Sequence, residues 1–423
     1  RRRLGDVFVM RTGVRGGAVV TCVPEHARSL FTADPELVPS LTAESPLRPI
    51  LGPSSVLTAN GARHLRQRRL LLPAFHGEAV ERFGDLIGQV CEQEIETWPL
   101  QRPFALAPRM QALTLEVIMA AVFGVQGRQR DGSPEQRLRA TVSYLTAAST
   151  SPLAKLGELM NFGRSEPVGV MRTGVGLLDR ATYPLIEARR AEQDLEGRAD
   201  ILSMLLAAST QDGERLSDAE VRDELLTLVL AGFETTANSL AWTWERLLRT
   251  PDAHDALRAA VRAAGENADA TAAARAQAVV EATIIEGMRC RPVVPIVGRR
   301  VAVPWQLGEY VVPADSAVSV SILLLHHRED LYPDPFEFRP QRWLEGDPPR
   351  CGKPGTYEWI PFGGGTRRCL GATLAMAEQR VVLAAMARRL NLEPDRPEPE
   401  HAQHRNVTMI PARGAQAILR ARA

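Results

Sequence analysis

Residues 361–371 read PFGGGTRRCLG, and the reading of this stretch decides the fold. Four glycines and two arginines crowd around Cys369. Glycines at that density permit a tight loop with inward-pointing amides, or a backbone that comes very close to something. Arg367 and Arg368 indicate a negative charge nearby. The following LGATLAMAEQRVVLAAMARRL predicts a helix. Cys369 then stands near a helix N-terminus, beside free N–H groups and the positive end of a dipole. Such a setting lowers a thiol's pKa and favours thiolate. A nucleophilic cysteine wants a histidine close by; His326 and His327 exist, but no spacing places them. A Walker phosphate loop is excluded, because no GK[ST] follows the glycines. A thiolate held as a metal ligand fits best.

The longest predicted helix runs from Ser217 to about Thr250. Ser217 and Glu220 form an S-x-x-E capping box, and Pro251 supplies the stop. Its centre, LTLVLAGFETTANSLAW, is almost wholly apolar, as in a helix buried on all sides. Glu234, Thr235 and Thr236 interrupt that run, and Gly232 costs about 1 kcal/mol relative to Ala in a helix interior. Two readings stand. In one, Thr235 bonds back to the Ala231 carbonyl and Glu234 finds an arginine. In the other, the helix opens locally beside a ligand that Gly232 admits, and Glu234 and Thr235 handle protons.

Before this helix, DVFVMRTG and GGAVVTCV read as a β-hairpin and PEHARSLFTAD as a helix. Residues 40–60, with three prolines and Gly52, read as a long loop. ARHLRQRRLLL, EAVERFGDLIGQVCEQEIETW and MQALTLEVIMAAVF carry helical periodicity. VGRRVAV, WQLGEYVV and SAVSVSI are short β runs, and β character returns in HRNVTMIPARGAQAILRA. No repeat or linker divides the 423 residues. One domain over 1–423 is expected, mainly α with a small β part (α+β).

Hydrophobic content of 45% and charged content of 24% are those of a soluble globular protein. No window of about 18 consecutive apolar residues appears, so no membrane span is expected. A net charge of +1 gives no bias toward nucleic acid or anionic lipid. The five cysteines are odd in number, widely spaced and without C-x-x-C, which disfavours a disulfide scaffold or structural zinc and suits a reducing cytoplasm. Lys155 and Lys353 are the only lysines, a bias that, with abundant Ala, Gly and Pro, points to a GC-rich bacterial genome.

Three weaker patterns remain. Glu286 and Arg289 lie at i and i+3 on one helix face, in isolation no more than a surface ion pair. Arg342 follows in DLYPDPFEFRPQRW, a stretch dense in Pro and aromatics. His64 and Arg68, at i and i+4, read first as a solvated basic face and second as a site for a dianion.

Taken in order, these motifs resemble the cytochrome P-450 family of haem-thiolate monooxygenases. The Cys loop matches F-x-x-G-x-R-x-C-x-G at Phe362, Gly365, Arg367, Cys369 and Gly371. The central helix matches [AG]-G-x-[DE]-T at Ala231, Gly232, Glu234 and Thr235. E-x-x-R is Glu286 and Arg289, and PQRW stands at the P-E-R-F position, with Gln341 and Trp343 departing from the commonest residues. The resemblance spans essentially the whole chain. It implies a P-450-like helical fold with a long central helix and small N- and C-terminal sheets. It implies haem b (iron protoporphyrin IX) with Cys369 as axial thiolate; thiolate ligation favours O–O cleavage, and the family is a standard example of it. Phe362, Gly365 and Gly371 would pack against the macrocycle and the sulfur. His64, Arg68, Arg367 and Arg299, with Arg300 a rival to the last, would hold the propionates. Glu286, Arg289 and Arg342 would form a buried structural triad. Thr235 would hydrogen-bond the bound O2 and Glu234 would help deliver protons. The substrate pocket would include Ala231, Phe233, Val293, Val294 and Thr408, facing an apolar molecule. Without a fused reductase or G-x-G-x-x-G, electrons would come from a ferredoxin and its reductase, in a soluble cytoplasmic enzyme. The implied reaction is hydroxylation at C–H. Epoxidation, oxidative coupling and peroxide-driven oxidation use the same haem, and a non-catalytic haem-binding protein is the other alternative.

Overall fold

Ser217 starts the central helix as the sequence predicts. The Ser217 amide donates to Glu220 Oε2 (2.9 Å) and the Glu220 amide to Ser217 Oγ (3.3 Å), closing the capping box. The helix covers Asp218–Leu247, 30 residues, or about 45 Å of axis at 1.5 Å per residue. Pro251 does not merely follow it: Thr250 N-caps the next helix, Pro251–Ala263, so one helix runs almost directly into another. Proline suits the first helical position, where its missing N–H would have no partner.

The computed structural model describes residues 3–12, 16–44, 47–75, 83–125, 131–148, 151, 156–157, 160–161, 164, 166–192, 194–195, 198, 200–209, 213, 215–265, 269–346 and 349–422. Within them the chain is mostly helical. Helix Leu106–Phe123 packs along the central helix, and helices Ala270–Cys290 and Ala372–Arg389 pack on its C-terminal half. Trp244, Leu240, Ile284, Val382 and Leu383 meet in the core at that end. Phe233, Ile118, Val229 and Leu185 form a second core toward the N-terminal half. By length and composition Leu106–Phe123 could cross a membrane, although no 18-residue window is wholly apolar. Here it is a core helix, mostly buried against its neighbours.

That packing accounts for Gly232. A Cβ at this position would lie 2.8 Å from Ile118 Cδ1. The glycine therefore lets the two helices approach, and the close packing offsets the ~1 kcal/mol propensity cost. The central helix is continuous through Gly232, so the local opening of the second reading is not seen.

The small β part is where the patterns place it. A four-stranded sheet has the order Val7–Thr12, Gly16–Thr21, Ser316–Ser321, Ile296–Val301, with only the middle pair parallel. A three-stranded sheet joins Leu390–Pro394, Gln416–Arg422 and Pro103–Ala105. Ala402–Arg405 and Thr408–Pro411 form a hairpin. Its Met409 amide donates to the Val293 carbonyl (2.7 Å), and Trp242 Nε1 donates to the Met409 carbonyl (2.9 Å), which pins it against the central helix. The predicted 40–60 loop is partly helical, with a 3-10 turn at Leu41–Glu44 and a helical turn at Arg48–Leu51. Pro49 sits at the start of that turn, where it breaks nothing. Pro46, the hairpin turn around Arg15, and the first residues of the helix predicted from Glu78 lie outside the described residues.

Candidate active site

Cys369 stands just before helix Ala372–Arg389, for which Gly371 is the N-cap. Its amide donates to the Phe362 carbonyl (2.9 Å), which closes the loop on itself. Phe362 meets Trp359 edge to face, with centroids 6.1 Å apart. The glycines divide into two kinds. Gly365 has φ +63°, and a Cβ there would overlap the carbonyl oxygen of Phe31. The end of helix Pro24–Thr32 by itself requires a glycine here. A Cβ on Gly371 would meet nothing within 4 Å, so that backbone is open to a close approach.

The thiol's pKa is raised, contrary to the expectation from the helix dipole. Burial is the largest influence, and the Gly371 hydrogen bond with the charges of Arg368 and Arg68 only partly opposes it. The residue is nonetheless accessible. The helix end alone does not make a thiolate here, whereas direct bonding to a metal would.

Three arginines and His64 converge on the same region. His64 is buried, its Nδ1 has no hydrogen-bond partner, and its pKa is pushed down to about 4 by burial and by Arg367, Arg68 and Arg299. Arg299 and Arg367 are each lowered to about 10, chiefly by burial, with Arg299 and Arg68 acting on Arg367. Arg299 lies over the Phe31 ring (5.2 Å). Arg367 donates to the carbonyls of Leu57 (3.3 Å) and Ala59. Among the described residues none of the four forms an ion pair. Arg300, the rival for this place, turns instead to Glu44 (2.9 Å). Mutually depressed cations beside an orphaned imidazole nitrogen suit a dianion, and the nearby thiol suits a metal. The residues present therefore fit haem, which offers two carboxylates and one iron.

The triad is fully assembled. Arg289 grips Glu286 with two bonds, Nε to Oε2 (2.8 Å) and Nη2 to Oε1 (2.9 Å), and neither residue is exposed. Arg342 Nε and the Arg339 amide add bonds to Oε1 (3.0 and 2.8 Å). Trp343 Nε1 donates to Oε2 (2.9 Å), so the departure from phenylalanine supplies a further donor. Burial would raise the Glu286 carboxyl, but Arg289, Arg342 and the amide together hold it below its ordinary value. His326 belongs here rather than beside Cys369: its Nε2 accepts from the Ile360 amide (2.8 Å), and burial pushes its pKa down to about 3.

On the central helix Ala231 is exposed and Thr235 half-buried, one turn apart on one face. Thr235 Oγ1 donates to the Ala231 carbonyl (2.7 Å), and Glu234 is paired with an arginine, Arg405. Both are features of the first reading of this segment. Phe233 is 2% exposed and belongs to the core beside Ile118, because a residue two positions from Ala231 points to the other side of a helix. Val293 and Thr408 are buried where the C-terminal hairpin meets the body, and Val294 is half-buried. Arg405 was not among the predicted site residues. It is 171 positions from Glu234, and no local pattern marks it.

A helical fold with small sheets, built around a cysteine loop and a converging cation cluster, defines the haem-thiolate class of oxidoreductase. The chain belongs to the cytochrome P450 family, whose model matches residues 1–419. It is 34% identical over 422 residues to a protein named cytochrome P450 138 of Mycobacterium tuberculosis strain H37Rv, covering all of this chain and 90% of that one. It is 36% identical over 424 residues to cytochrome P450 135B1 of Mycobacterium bovis, covering 86% of that protein. The fold is shared with the crystal structure of cytochrome P450 CYP102L1 (TM-score 0.80, 24% identity, 100% of this chain and 92% of that one). It is also shared with the cytochrome P450DA haem domain (TM-score 0.79, 21% identity, 99% and 90%). The protein is thus a cytochrome P450 monooxygenase, an enzyme class that uses haem on a cysteine thiolate, O2 and electron-transfer partners.

Proposed function

We propose that Cys369 is the axial thiolate for haem b, and that this chain, acting as one domain in the cytoplasm, hydroxylates an apolar small molecule with electrons from a separate ferredoxin and its reductase. The observation that carries the reading is the cysteine at its helix end, flanked by three arginines and the buried His64 without carboxylate partners among the described residues. When bound, haem supplies the iron that activates O2 and transfers one oxygen atom. His64, Arg68, Arg299 and Arg367 hold its two carboxylates. Gly371 lets the backbone approach, and Phe362 packs beside the sulfur. Ala231, Val293, Val294 and Thr408 border the pocket, and their small or apolar side chains suit an apolar substrate.

Thr235 and Glu234 manage the proton. The Thr235 hydroxyl, parked on the Ala231 carbonyl, turns to donate toward the pocket, and the carboxylate beside it restores the proton from solvent. Thr235→Ala is expected to raise peroxide release at the expense of product, by about tenfold in product per electron. Product yield per reducing equivalent measures this, and an unchanged yield removes Thr235 from the relay.

Arg368 is exposed in the cysteine loop, with Arg68 Nη1 donating to its carbonyl (2.7 Å). This face suits an acidic ferredoxin. Arg368→Glu is expected to slow reduction at low salt, with the difference shrinking as salt is added. Stopped-flow reduction by a ferredoxin tests it, and an equal rate at low salt removes the docking face.

The decisive experiment is spectroscopic. A red-shifted Soret band of the reduced carbonyl form establishes thiolate ligation. Titration with lauric acid, testosterone, limonene and a macrolide then tests for a low- to high-spin shift. A shift with one compound gives the substrate class. A folded, haem-loaded protein lacking the thiolate band would overturn the assignment of Cys369.

A further inference from the structure

We infer that Arg405 is the positioning residue for Glu234. The inference rests on the proton-relay reading above and adds a residue to it. Arg405 Nε donates to Glu234 Oε1 (2.8 Å), and Nη2 lies 2.7 Å from the same oxygen. Thr408 Oγ1 lies 3.4 Å from Oε1, with its single proton on the shorter bond to the Arg405 carbonyl. Both arginine contacts fall on one carboxylate oxygen, and no described residue bonds Oε2. The Glu234 side chain is 18% exposed and that of Arg405 12%, so the pair is shielded and more strongly coupled than a surface pair.

The contacts come from one small element. Arg405 ends the strand Ala402–Arg405 and Thr408 begins the strand Thr408–Pro411, with Asn406 at φ +54° in the turn between them. Thr408 Oγ1 donates to the Arg405 carbonyl (2.8 Å), which fixes the turn. The turn itself is anchored through Met409 to Val293 and Trp242. A carboxylate at the middle of a helix would otherwise choose among several rotamers. Held by a rigid hairpin through Oε1, it keeps one rotamer and leaves Oε2 as the oxygen that takes up and gives out the proton. Arg405 itself exchanges no proton with the substrate side. It acts through Glu234, and its guanidinium stays charged throughout.

Four variants test this in the haem-loaded enzyme: Arg405→Gln, Arg405→Lys, Glu234→Gln and the double Arg405→Gln/Glu234→Gln. The first readout needs no turnover. Amide hydrogen exchange across residues 402–411 is expected to speed up about tenfold in both Arg405→Gln and Glu234→Gln, because each loses the same charged hydrogen bond. The second readout is O2 consumption driven by a ferredoxin and its reductase with no substrate added. Arg405→Gln and Glu234→Gln are each expected to be slower by about tenfold, Arg405→Lys close to wild type, and the double variant no slower than Glu234→Gln alone. Should Arg405→Gln fail to fold, Glu234→Gln exchange and Arg405→Lys turnover still decide.

Arg405→Gln turning over at the wild-type rate while Glu234→Gln is slow overturns the positioning role and leaves the relay standing. Additive losses in the double variant also overturn it, since Arg405 would then act on its own. Glu234→Gln at the wild-type rate removes the relay itself, and this inference with it.

Discussion

Cys369→Ser is expected to abolish the red-shifted Soret band of the reduced carbonyl form and to bring oxygenation down to background. The two effects have one cause. Thiolate donates electron density to iron and favours O–O cleavage, and a serine hydroxyl, far harder to deprotonate, does not replace it. The protein should still fold. The bond that shapes the loop runs from the Cys369 amide to the Phe362 carbonyl, and a serine backbone makes it equally well. Haem should still be retained through His64, Arg68, Arg299 and Arg367, none of which touches the substituted atom in forming its own contacts. The expected result is therefore a folded, haem-containing and inactive protein. Serine substitutions at Cys91, Cys290 and Cys351 give the control. Cys91 and Cys290 are packed in the apolar core and Cys351 lies against the Tyr332–Trp343 cluster, none of them at the arginine cluster, so each variant should keep the band. A band that survives in Cys369→Ser would move the ligand elsewhere.

The parts of this fold that are legible in the sequence are those written in short-range chemistry. The Ser217–Glu220 box specifies its own helix start, because both partners lie within one turn. The cysteine loop is legible because its glycines and the following helix are contiguous. Glu286 and Arg289 are one helical turn apart, and their pairing follows from that. What is not legible depends on where distant segments meet. Gly232 looked like an opening for a ligand, and it is a place for Ile118 of another helix. Gly365 looked like a haem contact, and it clears the Phe31 carbonyl. Phe233 reads as pocket-facing from its neighbours in the motif, yet helical geometry turns it into the core. Arg405 carries no local mark at all, since only the C-terminal hairpin brings it to Glu234. The thiol of Cys369 was misjudged for a related reason: a helix end is a local feature, whereas the burial that outweighs it is supplied by the whole surrounding protein.

The second large effect is expected in stability, at Arg289. Arg289→Met removes a cation from a fully buried pair and leaves Glu286 with only Arg342, the Arg339 amide and Trp343 to hold it, at a cost of about 3–5 kcal/mol. The carbonyls of His326 (2.9 Å), Pro335 (2.8 Å) and Glu337 (3.0 Å) lose a donor in the same change. A protein with marginal stability loses much of it in such a step. Trp343→Phe should be milder, about 1.5–3 kcal/mol, because the ring still fills the site and only one bond to the carboxylate goes. The pH dependence identifies the cause. Glu286 is held below its ordinary value of 4.5, so the pair stabilises the native state above that pH and its contribution is lost as pH falls through the lower native value. Without Arg289, burial is opposed only by Arg342, the Arg339 amide and Trp343, so the Glu286 carboxyl rises relative to wild type and the variant loses less stability than wild type as the carboxylate takes up a proton. The deficit of Arg289→Met relative to wild type should therefore be large at pH 7 and narrow as the pH is lowered toward 4.5. Urea unfolding of both haem-loaded proteins across that range measures it. A deficit that stays constant with pH would locate the cost in lost packing and in the three carbonyls, and would show that Glu286 is not the group the network exists to hold.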